Sequence, residues 1–473
     1  MAVPKDSFSQ LPDRQMQAAP RQAWLYFLIV VFSVTGGVGL LLANQIIVLA
    51  VLIAIIGGAM IFMYPFLGLV IFVILSFIRP ADFMPALAAI PLAKVIGGAT
   101  LIALIFARIR TRDFELGGRQ AMLLFAFAAT LFISIPLSFW PQHSLEISLD
   151  FLKIILFYFL FVNIVRDLKK LKIISLIAMA SIIVLCLSTI QSFLTGNARA
   201  ASVIGEGLFG DANDIALVLV TAIPLTGYLM IGRGWKQHYR VIQIGLILLL
   251  IVGTIVTKSR GGFLGLAVVL FMMIMKLRSK TLGIIMFLGV IIIALAFLPS
   301  EFSDRYSTIG TYEQDSSAMG RLYAWQAGIN MMIARPITGV GVGCFETAFG
   351  NAFRPAGYGS AKWMAPHNTL IQVGGETGLI GLAIFMYLYL YSLFQLRKLK
   401  PGENNKHKES IGKIKSIIMI SLIGFGVAAF FLTQAFNYIL YFLIASVASL
   451  VKINENIERM TDNNKIENNL GKT

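Results

Sequence analysis

The sequence predicts an all-α, polytopic membrane protein: a bundle of transmembrane helices with both termini cytoplasmic and one large, partly helical loop on the far side. Three observations predict it. Hydrophobic residues make up 58% of the 473 and charged residues only 13%, about half the roughly 25% usual in soluble domains. Apolar runs of about 18 residues recur along the whole length, each long enough to cross the hydrocarbon core as a helix. The net charge of +16 sits mainly in short clusters between those runs: "RIRTRD" from Arg108, "RDLKKLK" from Arg166, "RGWKQHYR" from Arg233, "KLRSK" from Lys276 and "RKLKPGENNKHKES" from Arg397. Lys and Arg accumulate in cytoplasmic loops. The basicity therefore reports topology, and no nucleic-acid partner is expected.

These clusters thread the chain. Residues 1–23 form a cytoplasmic segment whose Lys5, Arg14 and Arg21 precede the apolar run Leu25–Leu42. A signal peptide opens in the same way, but further spans follow at once, which favours an uncleaved first helix. Residues 24–78 hold three short spans, broken at Gly57-Gly58 and at "YPF" from Tyr64. Spans at 90–107, 120–138, 149–165, 172–194, 214–232, 241–257, 263–275 and 282–298 complete the first part of the bundle, 24–298. The loop 299–367 follows on the outer side. The last part, 368–451, has spans at 375–395, 416–433 and 438–451, and 452–473 is a cytoplasmic tail. Both termini inside require an even number of spans, 12 to 14. Cys186 lies in an apolar run and Cys344 in a polar one, so no disulfide framework is expected.

The outer loop reads as structured. In "GRLYAWQAGINMMIA", Leu322, Trp325, Ile329 and Ile333 recur at helical spacing, predicting an amphipathic helix in the membrane interface. "RPITGVGVGCFETAFG" is a proline and glycine turn leading to a second short helix. Its glycines lack the spacing and the preceding strand of a dinucleotide fingerprint.

Basic residues that escape the cytoplasmic side are the informative ones: Arg79, Arg199, Lys258, Arg260, Arg305, Arg321, Arg335, Arg354 and Lys362. A guanidinium fork suits phosphate oxygens. Two or three converging at the outer face would hold a lipid diphosphate; singly, such residues snorkel to headgroups or pair with Glu301, Asp304, Glu313 or Asp315. Arg260 stands out, because "TKSRGG" puts it with Lys258 between two spans beside paired glycines. His367 lies where the loop re-enters the membrane. An imidazole there takes a proton from a hydroxyl near neutral pH, or simply hydrogen-bonds at an interface. Asn368 suits the cap of the next helix. Asp211 and Asp214 in "GLFGDANDIAL" either share a divalent cation or leave Asp211 as a helix cap. No metal-ligand cluster, Walker loop or serine triad is visible, and no cofactor is expected.

Taken together, "SRGGFLGL", "GRLYAWQAGINMMIARPITGVGVGCFETAF" and "PHNTLIQVGGETGLIGL" resemble the signature of the O-antigen ligase and polymerase superfamily. "SFIRPADFMPAL" and "FGDAND" further resemble a branch associated with exopolysaccharide and exosortase systems. The resemblance implies a GT-C-like transferase of the bacterial inner membrane with its active site facing the periplasm. Such an enzyme moves a glycan from an undecaprenyl-diphosphate donor to a lipid A-core, glycan or protein acceptor, with inversion and without a metal. Carried over by position, Arg260 and Arg321 engage the donor diphosphate and His367 activates the acceptor hydroxyl. Beside that resemblance, the residues themselves make Lys258, Asn368, Asp211 and Arg335 further substrate-binding candidates. Repeat-unit polymerase and protein O-glycosylating ligase are alternatives within the superfamily. A lipid-linked glycan transporter is the alternative outside it.

Overall fold

The structure, a computed structural model, describes residues 45–78, 91–109, 118–196, 211–231, 237–276, 316–355, 363–402 and 407–470, with a few isolated positions. Every regular element among them is helical. Contacts divide the chain into residues 1–67 and 68–473. The first unit carries α1, Gln45–Met63, and α2, Pro65–Phe77, begins at the boundary. The second unit contains α3 (Leu92–Arg108), α4 (Gly118–Ser134), α5 (Pro141–Ile164), α6 (Leu168–Leu194), α7 (Ala212–Ala222, continued as a 3-10 helix to Met230), α8 (Gln237–Val256) and α9 (Arg260–Ile274). After it come α10 (Ser316–Ala334), the short α11 (Phe345–Ala348), α12 (Thr369–Lys398), α13 (Lys408–Ala429) and α14 (Tyr438–Leu470).

Eight of the described helices are long and apolar enough to cross a membrane: α4 to α8 and α12 to α14. The chain is therefore the all-α polytopic bundle expected. The apolar α9 is shorter, at 15 residues. The expected span at 282–298, the chain before residue 45, and Arg79, Arg199, Arg305 and Lys362 lie outside the described residues. Several helices overrun the expected limits. α5 begins at Pro141, where a proline loses no helical hydrogen bond. α14 continues through polar sequence to Leu470, with Asn454 donating to the Glu458 carboxylate at 3.0 Å. Hydropathy marks the membrane, and helices do not stop where it does.

The helix ends sort into two sets. Arg108, Lys172 and Lys415 lie at one set, where they bond main-chain carbonyls left open at helix C-termini. Arg108 donates to Asn163 O at 3.0 Å, Lys172 to Ile231 O and Lys415 to Leu399 O at 2.7 Å. The other set holds the N-termini of α7, α9 and α12. α9 lies against both α7 and α13. A methyl group on Gly262 would sit 2.6 Å from the Ala216 Cβ, so only glycine permits that approach. Small residues allow this closeness where lipid supplies no hydrophobic drive between helices.

α12 packs along α4 and α10 and is broken at Gly378, whose φ of 73° lies in the left-handed region. Segment 336–341 repairs the break. Leu379 N–H donates to Pro336 O (2.7 Å), Val340 N–H to Gly375 O (2.9 Å) and Gly341 N–H to Glu376 O (3.0 Å). The "GVGVG" glycines at 339, 341 and 343 all have positive φ. Any side chain at 339 would collide with the Glu376 main chain. The turn is a backbone seam between the 316–355 segment and a membrane helix.

Candidate functional site

Between α13 and α14 runs the turn Phe430–Asn437, "FFLTQAFN". Its polar side chains are committed to neighbours. Gln434 donates through Nε2 to the Asp214 carboxylate of α7 and accepts from Asn437 Nδ2. Asn437 in turn accepts from Ile439 N–H at 3.0 Å, starting α14. From α12, the Thr369 hydroxyl donates to Leu432 O (2.7 Å) and accepts from Gln434 N–H (3.1 Å). Gln372 Oε1 accepts from Ala435 N–H at 3.1 Å. The turn is thus a fixed block bonded to both α7 and α12.

Three helices begin at this block. The Asp211 side chain caps α7 by accepting from Asn213 N–H at 3.0 Å. Ser259 caps α9 by accepting from Gly262 N–H at 3.2 Å. Asn368 caps α12 by accepting from Leu370 and Ile371 N–H at 2.8 and 3.1 Å. A methyl on Gly261 would lie 3.1 Å from the Phe431 Cβ, so Arg260 starts its helix directly beside the turn. His367 N–H donates to the Thr433 hydroxyl at 3.1 Å. Each N-terminus carries roughly half a positive charge. Asp214 opposes that of α7, whereas the first turns of α9 and α12 contain no acid.

Among the described residues, two that are not glycine have left-handed backbone angles: Lys258 (φ 52°) and His367 (φ 44°). Each stands immediately before a helix cap, Ser259 or Asn368. Such angles strain a bulky L-residue, and in folded chains they concentrate at functional positions.

Arg321 joins from α10. Four residues on, the Trp325 indole N–H donates to Pro366 O at 3.1 Å, and its ring meets Phe430 edge-on at 5.9 Å. A methyl on Gly320 would sit 2.7 Å from Met364 Cε. The start of α10 therefore lies over 364–366, the approach to His367. Leu322, Ile329 and Ile333 form the exposed face expected of this helix, but Trp325 turns inward. Arg335 lies elsewhere. Fourteen residues beyond Arg321, about 20 Å along a helix, it donates to Leu137 O and covers the Phe139 ring at 4.8 Å.

Arg260, Arg321, His367 and Lys258 thus belong to one neighbourhood organised by 430–437. Asn368 and Asp211 stand there as helix caps, while Arg335 braces the 137–139 turn. Sequence reading passed over Gln434 and Thr433, although polar residues between two apolar runs were visible. It also passed over Glu376, a buried acid of α12 whose Oε2, among the described residues, lacks a hydrogen-bond partner, while its carboxyl is bonded by the Gly343 and Phe345 main chain and by Gln372. An acid inside an apolar run is itself a signal. Among the described residues, no three His, Cys, Asp or Glu side chains group as a metal site.

Fold and site together define a polytopic helical membrane protein with cations gathered at helix N-termini on one end of the bundle. Residues 245–386, which contain Arg260, Arg321 and His367, match the family model described as O-Antigen ligase. A provisionally named polysaccharide ligase of Rickettsia felis is 25% identical over 224 residues, 45% of this chain and 52% of that protein. A similarly named protein of Rickettsia conorii is 26% identical over 180 residues, 36% of this chain and 43% of its own. The exopolysaccharide production protein ExoQ of Rhizobium meliloti is 31% identical over 133 residues, 27% of this chain and 28% of that protein. The chain spans about half or less of the length of these relatives.

Proposed function

We propose that this protein is a membrane glycosyltransferase of the O-antigen ligase kind. It moves a glycan from an undecaprenyl-diphosphate donor to an acceptor hydroxyl of a lipid A-core, a polysaccharide or a protein. The reaction takes place at the periplasmic face of the bacterial inner membrane, with 299–367 as a periplasmic loop. The observation that carries this reading is the meeting of Lys258, Arg260 and His367 at two helix N-termini on one rigid turn. Cationic side chains and uncompensated N-termini together suit a diphosphate.

In the proposed step, the acceptor oxygen bonds to the anomeric carbon from the face opposite the leaving group. The bond from that carbon to the diphosphate oxygen breaks, and the electron pair leaves with the lipid diphosphate. His367 takes the hydroxyl proton. Arg260 and Arg321 stabilise the charge that develops on the leaving oxygen, and inversion at the anomeric carbon follows. A diphosphate leaves readily, so fixed cations suffice without a divalent ion. The gathering of these cations at one end of the bundle, beside a folded segment, favours transfer over transport, which places charges midway along spans.

The test is reconstitution in proteoliposomes with labelled donor and an acceptor. A new glycosidic product is expected, and movement of donor without product would overturn the reading. Arg260→Ala, Arg321→Ala and His367→Ala should insert normally and each lose about a hundredfold in rate, the usual scale for one charge-stabilising contact. A glycan gel of a deletion strain separates the acceptors: loss of a ligase leaves no attached glycan, and loss of a polymerase leaves single units.

A further inference from the structure

Glu376 is an acid that the proposed chemistry does not use. It is buried within α12, only 3% exposed, and a carboxyl in such a place is costly unless its neighbours hold it. Donors hold it from two directions. The Gly343 and Phe345 N–H groups come from the segment outside the helix, and the Gln372 side chain comes from one turn back on α12 itself. Among the described residues Oε2 has no partner, so these donors fall to Oε1. The seat is close. A methyl on Gly375 would lie 3.1 Å from the Phe345 ring, and the Glu376 main-chain O accepts from Gly341 N–H at 3.0 Å. Residue 376 thus grips 341–345 with main chain and side chain together.

Gln372 carries the link onward. Its Oε1 accepts from Ala435 N–H at 3.1 Å, which leaves its Nε2 to donate to Glu376. The two residues are four apart, on one face of the helix. Ala435 stands two residues from Thr433, whose hydroxyl accepts from His367 N–H at 3.1 Å. A bonded path therefore runs from 343–345 through Glu376 and Gln372 to the turn that holds His367. An amide held at one end can swing, whereas one held at both ends is fixed. We propose that Glu376 is a positioning residue: by holding the Gln372 amide it sets the 430–437 turn, and with it the His367 backbone, against the folded segment 341–345. Its kinetic consequence rests on the transfer reading above.

The test compares full-length wild type, Glu376→Gln, Glu376→Leu and Glu376→Asp in phosphatidylcholine nanodiscs. Glutamine keeps the Oε1 acceptor, leucine removes it, and aspartate withdraws the carboxyl from Gln372 by one methylene. Hydrogen exchange of the 430–437 amides needs no substrate. It should quicken about tenfold in Glu376→Leu, the equilibrium worth of one hydrogen bond, and stay near wild type in Glu376→Gln. Wild-type exchange there in Glu376→Leu would overturn the proposal, because the acid would then brace 341–345 alone. Should Glu376→Leu fail to fold, Glu376→Asp carries the same test with the same two outcomes. In transfer, Glu376→Leu should lower kcat about tenfold with donor KM little changed, since a displaced His367 spoils orientation more than binding. Glu376→Gln should restore kcat. A raised KM at full kcat, or a glutamine variant as slow as leucine, would equally sink the assignment. Gln372→Leu cuts the same path, so adding Glu376→Leu to it should slow transfer no further; additive losses would show two separate roles and count against the path. Absence of product from every form, wild type included, removes the transfer reading, and the exchange rates still decide the link.

Discussion

Lys258 and His367 carry the clearest residue-scale message. Holding a long or aromatic side chain at positive φ costs about 1 kcal/mol or more, and glycine would remove that cost. Lys258→Gly and His367→Gly should therefore melt no lower than wild type in detergent, while His367→Gly loses transfer. A lower melting temperature together with full transfer would show that the strain serves only the fold. Gln434 is the opposite case. Gln434→Leu strips a partner from both Asp214 and Asn437 and should cost about 1–3 kcal/mol, read as earlier thermal unfolding. The cationic residues stood out in the sequence because positive-inside sorting makes an arginine away from the basic clusters conspicuous. Gln434 was not, because its role depends on a partner 220 residues away.

Elements were legible where run length alone decides, and less so where two runs share a helix or a helix breaks within one. α12 shows why. "GGETG" in a helical run reads equally as a packed glycine face or as a kink, and only contact with 336–341 selects the kink. Gly378→Ala adds a methyl 2.5 Å from Pro336 O at a left-handed angle and should cost about 2 kcal/mol or more, measured by thermal unfolding. Asn368→Ala removes two cap bonds from the same helix; a loss near 1 kcal/mol is expected. The inward turn of Trp325 escaped the periodicity reading for a related reason. Spacing places a residue on a helix, but a nearby carbonyl, here Pro366 O, decides where an indole goes.

For the whole molecule, the threading makes a topological prediction. Cys186 and Cys344 are both buried, so the native chain offers little background to thiol reagents. Gln326 on α10 and Glu409 at the start of α13 are exposed. Gln326→Cys in intact spheroplasts should react with an impermeant maleimide, and Glu409→Cys only after lysis. The reverse pattern would put the site on the cytoplasmic side. Composition and charge clusters disclosed the class of molecule and its two sets of helix ends. Three helix starts meeting on 430–437 were beyond their reach, since periodicity carries no information about which distant ends share a neighbour.

The seam between 336–341 and the break in α12 is made from main-chain atoms alone. A joint of that kind is indifferent to what the surrounding side chains are, provided the glycines persist. Side chains of the flanking segment can therefore vary without loosening the membrane scaffold. A library that randomises the exposed Pro336-Ile337 neighbourhood while keeping Gly339, Gly341 and Gly378 should yield folded proteins far more often than one that spares the side chains and varies the glycines.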